Sequence, residues 1–303
     1  PICQLPNIEH TEQSFPVLFL YRKELPDSGG AGQYRGGLSA ESCFIPHNTE
    51  VITQDTLSSG NATPTSSGLM GGYPATTNAY TFIRNSDIQQ RMASAQMPDD
   101  ADQVQGDAVT LQLREENFQQ RADDVYAVRW TGGGGFGDPM RRSFADIDKD
   151  LDDYSVTEQT ACEVYGAVLN SQGKVDGEAT ELNRNEIRAA RISQHSKDVV
   201  LRNGQVVFEV GSGLNIVAEG GEHFWACANC SADLGPTKSN FKDGCIRQDR
   251  SVCASNPLIG APDRFIDDEV AFRQFYCPGC GSLIDNEIAV DTDPVLTDVS
   301  IVA

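Results

Sequence analysis

Four cysteines stand in two Cys-x-x-Cys pairs, Cys227-Ala228-Asn229-Cys230 and Cys277-Pro278-Gly279-Cys280, with 46 residues between them. Thiolates are soft anionic ligands, and two such pairs supply the four sulfurs that enclose one tetrahedral Zn2+. Pro278, Gly279 and the following Gly281 suit the tight turn that a metal knuckle needs. The aromatic stretches Phe224-Trp225 and Phe275-Tyr276 lead into the pairs as strands would. The spacing predicts a structural zinc site on Cys227, Cys230, Cys277 and Cys280, with two redox-active or incidental pairs as the competing reading. A catalytic zinc does not fit, because four sulfurs leave no position open for water. Cys245 and Cys253 are expected to be free buried thiols rather than a second site, and His223, near the first pair, is expected to stay outside the metal shell.

The other residues able to do chemistry are scattered. His10, in the polar run Asn7-Ile8-Glu9-His10-Thr11-Glu12, and His47 are the histidines of the first 140 residues. Either could act as a general base in a cleft, and each reads equally as a surface or hydrogen-bonded structural histidine. Asp27 and Arg35 are the polar members of a glycine-dense segment running from Asp27 to Gly37. Asp27 is expected to cap the glycine turn. Arg35 is expected either to contact an anion or to pair with Asp27. A second glycine run, Gly132-Gly133-Gly134-Gly135-Phe136-Gly137-Asp138-Pro139, ends in an aspartate expected to fix a turn. Neither segment has the Gly-x4-Gly-Lys-Ser/Thr form of a phosphate loop or clearly joins a strand to a long helix. Tight structural loops are therefore favoured over ligand-binding ones.

These groups must be held by elements that the sequence marks unevenly. Val17–Tyr21, Glu50–Thr53, Ala108–Leu113 and Asp124–Trp130 read as strands, separated by turn-rich stretches at 26–30, 58–72 and 97–106. Ser143–Leu151 reads as a short acidic helix, with the charge run Asp146–Asp153 as a solvated face. A second helix is expected over Glu158–Tyr165, ending at Gly166. Its start is organised by Ser155 with Glu158, which has capping-box spacing, or by Thr157 with Thr160. Val175-Asp176-Gly177 reads as a turn. Ala179–Ser193 reads as a third helix burying Leu182, Ile187, Ala190 and Ile192. Val199–Leu201 and Gln205–Val210 flank Asn203-Gly204 as a β-hairpin would, and Pro294–Ile301 reads as a closing strand.

The fold class is α+β: an irregular β-rich segment with trailing helices, then a zinc-ribbon-like β module. The expected domains are 1–195, β-rich to residue 140 and helical over 141–195, and a zinc-binding module at 196–303. The 303 residues carry 44 acidic and 23 basic side chains, a net charge of −21. That field repels phosphates, so nucleic acid and anionic membrane surfaces are excluded as partners. No run of 18 uncharged apolar residues is present, so no transmembrane helix is expected. Pro1–Gln4 shows neither a basic nor an apolar leader region, so no signal peptide is expected. Clustered cysteines in an odd total of nine point to metal binding in a reducing compartment, and so to the cytoplasm.

Leu20-Tyr21-Arg22-Lys23-Glu24-Leu25-Pro26 through Gly36-Gly37-Leu38 resembles a signature of the hydantoinase B/oxoprolinase family. Gly132–Pro139 resembles that family's GGGGYGDP element, with Phe136 in the tyrosine place. Ser155-Val156-Thr157 through Tyr165-Gly166-Ala167-Val168-Leu169 resembles a third family segment. The resemblance covers residues 1 to about 195 and only the C-terminal part of a family member. The last hundred residues are similar, chiefly through the two knuckles and their aromatic flanks, to the small zinc-binding subunit of acetone and acetophenone carboxylases. Together the resemblances imply a subunit of a multi-subunit ATP-dependent ketone carboxylase, inactive alone. They imply a kinase-like partner that holds ATP with Mg2+ or Mn2+, another chain supplying the N-terminal half, and a ketone and bicarbonate as small-molecule partners. Enolate formation would need a base and a partner for the enolate oxygen, for which His10, His47, Asp27 and Arg35 are the candidates. An ATP-dependent hydantoinase- or oxoprolinase-type cyclic amide hydrolase and a non-catalytic zinc-stabilised assembly subunit are the alternatives.

Overall fold

The computed structural model describes residues 6–193 and 198–301. The chain divides into two compact units. One gathers residues 1–25, 39–61 and 77–131; the other gathers 26–38, 62–76 and 132–303. Compactness thus cuts across the boundary expected near residue 195. The glycine-bearing segments pack with the cysteine-bearing module, because their backbones interlock with residues far along the chain.

The first unit opens with α1 (Ile8–Ser14), whose N-terminus is capped by the Asn7 side chain. Strands β1 (Val17–Glu24), β2 (Ala40–Pro46), β3 (Val51–Leu57) and β4 (Ala79–Arg84) follow. Next come α2 (Ile88–Ala93), β5 (Asp107–Thr110), β6 (Arg114–Arg121) and β7 (Val125–Arg129). Five strands form an antiparallel sheet in the order β1-β2-β7-β4-β5, and β3 pairs with β6 in a separate ribbon. Alternation along β7 shows why it is central. Val125 and Ala127 join Leu20, Cys43, Ile45, Ile83 and Ile88 in one core, while Tyr126 and Val128 join Phe82 and Leu111 in another. The expected strand Ala108–Leu113 stops at Thr110, after which Leu111 turns inward.

The second unit holds α3 (Phe144–Asp152), α4 (Glu158–Glu163) and α5 (Gly177–Ile192). Two sheets follow. Strands β8 (Gln205–Val210), β9 (Leu214–Glu219), β10 (Glu222–Cys227) and β11 (Asp233–Pro236) lie in the order β11-β10-β9-β8. Strands β12 (Ile246–Ser251), β13 (Val270–Tyr276) and β14 (Leu283–Val290) lie in the order β12-β13-β14. Ser143 caps α3, and of the two expected starts for α4 it is Thr157 with Thr160 that forms, the Thr157 hydroxyl accepting from the Thr160 N–H. The Val175-Asp176-Gly177 turn is the N-terminus of α5, capped by Asp176.

Three further expectations are corrected. On α5 the buried positions are Thr180 and Arg184, while Leu182 is exposed. The Arg184 guanidinium turns inward because the carbonyls of Tyr165 and Arg142 accept its N–H groups. The hairpin is not formed around Asn203-Gly204. Residues 200–202 instead bond beside Ser231 and Asp233, and β8 turns back through Gly211–Gly213 onto β9. Residues 294–300 are irregular rather than a strand. Arg273 donates to the Pro294 carbonyl, Asn240 Nδ2 donates to the Leu296 carbonyl and the Leu296 N–H donates to Glu287, so side chains take backbone groups that a ladder would otherwise pair. No helix among the described residues is long and apolar enough to cross a membrane.

Candidate metal centre

The two knuckles repeat one backbone device. β10 delivers Cys227, and β13 runs directly into Cys277. The N–H groups of Cys227 and Cys277 donate to the carbonyls of Ala232 and Ser282, each at 2.9 Å. The N–H groups of Ser231 and Gly281 donate back to the carbonyls of Cys227 and Cys277, each again at 2.9 Å. Closing that loop needs a left-handed residue after the second cysteine. Gly281 supplies it at φ 68°, and Ser231 adopts it at φ 61° despite its side chain. The N–H groups of Asn229 and Gly279 point at the sulfurs of Cys227 and Cys277, each at 3.4 Å, which favours the thiolate.

The four sulfurs lie within 4.8 Å of one another. Cys227 Sγ is 3.8 Å from Cys280 Sγ, and Cys230 Sγ is 3.5 Å from Cys277 Sγ. A tetrahedron with Zn–S bonds of about 2.3 Å has edges of about 3.8 Å, so the cage fits zinc in size and in ligand softness. Hydrogen bonds from neighbouring thiols, Cys227 first, hold Cys230 and Cys280 below the ordinary thiol range. The same crowding pushes Cys227 and Cys277 up. Four sulfurs this close cannot all ionise without a cation among them, so metal binding would release protons.

Side chains that sequence reasoning passed over brace the cage. Asn229 Nδ2 donates across to Ser282 Oγ at 3.2 Å, tying one knuckle to the other, and the Cys280 thiol donates to the same hydroxyl at 3.3 Å. Arg191 donates to the Gly281 carbonyl at 3.0 Å and lies over the Tyr276 ring. Asp138 fixes its turn as expected, accepting from the Met140 N–H at 3.0 Å, and its second oxygen accepts from Leu283 N–H at 3.1 Å. The aspartate of the second glycine run is thereby fastened just beyond the second knuckle. Behind this, the buried Lys242 ammonium pairs with Asp285 at 3.3 Å, Glu287 at 2.8 Å and Asp298, and Glu287 also takes Arg273 at 3.0 Å. The polar residues inside the knuckle turns were the readable signal for Asn229 and Ser282. Nothing local marked Lys242 or Arg273, since their partners are distant in sequence.

Cys245 and Cys253 are half-buried free thiols outside the cage, and burial pushes the Cys245 thiol up. His223 is exposed on β10 and is not among the grouped ligands.

The glycine segments bury backbone against backbone. A Cβ at Gly30 would meet the Tyr73 carbonyl oxygen at 2.1 Å, at Gly36 that of Gly133 at 1.9 Å, and at Gly72 that of Gly135 at 2.1 Å. Three strands of chain interlock here. Asp27 sits at φ 61° and does not cap its own turn; its carboxylate accepts from the Thr157 N–H at 3.0 Å and hydroxyl at 2.7 Å. Arg35 pairs not with Asp27 but with Asp150, at 3.3 Å, and Arg142 shares that carboxylate at 2.8 Å. Asp150 is consequently buried, so the acidic run on α3 is not wholly solvated. His10, on α1, and His47, after β2, are exposed in the first unit.

Residues 2–139 match the family model described as Hydantoinase B/oxoprolinase, and residues 200–302 match that of the acetone carboxylase gamma subunit. The chain therefore joins a stretch similar to hydantoinase B to a module similar to the acetone carboxylase gamma subunit. It is 30% identical over 216 residues to the acetone carboxylase alpha subunit of Xanthobacter autotrophicus, spanning 64% of this chain and 27% of that protein. It is 32% identical over 83 residues to the acetophenone carboxylase beta subunit of Aromatoleum aromaticum, spanning 26% of this chain and 64% of that protein. Among solved structures, nucleotide-free acetone carboxylase superposes with a TM-score of 0.52 at 27% identity, covering 64% of this chain and 28% of the other. The chain thus spans little more than a quarter of the length of its larger relatives.

Proposed function

We propose that this chain is a subunit of an ATP-dependent ketone carboxylase of the acetone or acetophenone type. One observation carries the reading: a stretch similar to hydantoinase B and a module similar to the acetone carboxylase gamma subunit occur in one polypeptide. The first alone would fit a cyclic amide hydrolase equally well; the second is what favours carboxylation. Cys227, Cys230, Cys277 and Cys280 hold a structural Zn2+, whose role is to fasten the two knuckles and the sheets that end in them. With four sulfurs bound it has no position for substrate or water.

ATP with Mg2+ or Mn2+ is used by a kinase-like partner, a reading supported by the similarity to an ATP-dependent carboxylase, and the clustered cysteines suit the reducing cytoplasm. This chain contributes a rigid wall. Asp27 and Arg35 are positioning residues: Asp27 fastens the first glycine segment to the start of α4, and Arg35 fastens it to α3. His10 and His47 are exposed and open to a partner's site. Enclosure by partners would keep water from the activated carboxyl group. The test is an assembly purified through this chain and given ATP, a ketone and radiolabelled bicarbonate. Acid-stable label in a new carboxylic acid is the expected result. ATP-dependent opening of a lactam or hydantoin without label uptake would replace this reading by the hydrolase one.

A further inference from the structure

The sheet β11-β10-β9-β8 ends on a strand whose outer edge nothing among the described residues pairs. β8 pairs with β9 on one side, and among the described residues no strand pairs with its other edge. No backbone hydrogen bond of residues 205–210 outside that pairing is found among them either. Its side chains are bare on both faces: Val206, Val207 and Phe208 are 45%, 47% and 62% exposed. Edge strands are normally blunted by lysine, proline, a bulge or a covering element; β8 has neither lysine nor proline, and its one such device is a bulge between Val206 and Phe208.

We infer that β8 is an acceptor edge for an extended, basic-flanked strand of another protein, added to the sheet by main-chain pairing. The geometry selects that chemistry. The unpaired edge offers alternate N–H and C=O groups, which an extended backbone satisfies and a helix does not. Val206, Val207 and Phe208 supply apolar contacts above and below the added strand. The surrounding charge is negative: Glu209 is the only charge on β8, and Glu222 begins β10 beyond the β9–β10 turn. The nearby Arg202 is already engaged by Glu219 and Asp233. A cationic flank therefore completes the site.

A second copy of this chain fits poorly, for two reasons on the same edge. A bulge between Val206 and Phe208 breaks the straight register that two such edges would need. Each copy also carries a net charge of −21. Bulge and charge together keep the edge from its own kind while leaving it open to a cationic strand. The inference rests on this unit alone and does not depend on the carboxylase reading.

The probe is a synthetic seven-residue peptide alternating threonine and valine with lysine at each end, titrated into the full chain by fluorescence anisotropy. A version with glutamate ends serves for comparison. The lysine peptide should bind at least tenfold more tightly than the glutamate peptide at low salt, with the gap narrowing as salt is added. It should also slow amide hydrogen exchange across residues 205–210. Phe208→Lys, at an exposed site, should weaken binding at least tenfold with zinc content and melting unchanged. Equal binding of the two peptides, binding without protection of residues 205–210, no binding, or a wild-type dimer that Phe208→Lys dissolves would each overturn the inference.

Discussion

Gly36 and Gly37 are neighbours in one glycine-dense motif, and the structure gives them opposite tolerance of a side chain. A Cβ at Gly36 would sit 1.9 Å from the Gly133 carbonyl oxygen and 2.8 Å from that of Gly134; at Gly37 nothing lies within 4 Å. Neither residue has a left-handed φ, so the contrast is one of space alone. Relieving the Gly36 clash means moving one backbone away from another by more than about 1 Å, an overpacking cost of about 1–3 kcal/mol. The bonds that clasp the same strands are strained in turn: Gly30 N–H to Gly133 O at 2.8 Å, Gly36 N–H to Gly30 O at 2.9 Å and Gly133 N–H to Gly37 O at 2.9 Å. Losing two of them adds about 2 kcal/mol. Gly36→Ala should therefore cost about 3–5 kcal/mol. Gly37→Ala should be neutral or stabilise by up to about 1 kcal/mol through the unfolded chain. At about 2–4 °C per kcal/mol for a chain of this size, the two variants should melt at least about 6 °C apart by near-ultraviolet circular dichroism. Melting within about 2 °C of each other would refute the interlocked-backbone account.

Cys277→Ser should lower bound zinc from about one per chain to a small fraction, read by elemental analysis after dialysis, and should destabilise the module that Cys277 joins. At the matched knuckle positions, Gly281→Ala should be costly because its Cβ would lie 2.3 Å from the Arg188 carbonyl oxygen. Ser231→Gly should change stability by less than about 1 kcal/mol, since it relieves a left-handed serine while loosening the unfolded chain; urea unfolding of both variants checks the contrast. Asp285 is pushed up to about 6, first by burial and then by Asp298, with Lys242 opposing. An acid whose folded value lies above its unfolded value of about 3.9 favours folding most when protonated. Its contribution is full below about pH 4 and is lost as the pH rises through 6. Asp285→Asn should flatten the urea-midpoint profile between pH 4 and 6, and an unchanged slope would remove Asp285 from the account.

How much could be read in advance follows from how local each cause is. The knuckles were legible because ligand type, spacing and the glycine after Cys280 all act within a few residues. Strands β1 and β7 and helix α3 were legible for the same reason, each carrying an apolar run or a cap at Ser143. The misleading hairpin at Asn203-Gly204 shows the limit. Its dipeptide and flanks were right, yet Arg202 pairs with Glu219 and Asp233 and draws the preceding chain across toward β11. Leu182 fitted a helical stripe but is exposed; of that stripe Ile192 packs against the core, while the buried carbonyls draw in Arg184. Asp150 looked solvated until two arginines, one from the first glycine segment, came to it. In each miss a long-range polar contact overrode a sound local signal. The glycine motifs showed that backbones must approach closely but not which ones, since Gly36 and Gly133 lie far apart in sequence.

The most direct test of the account is native mass spectrometry, with elemental analysis, of the assembly purified through this chain from its source. The account predicts larger chains bound to it and about one zinc per copy. A lone chain with no partner, or a partnered chain without zinc, would contradict it.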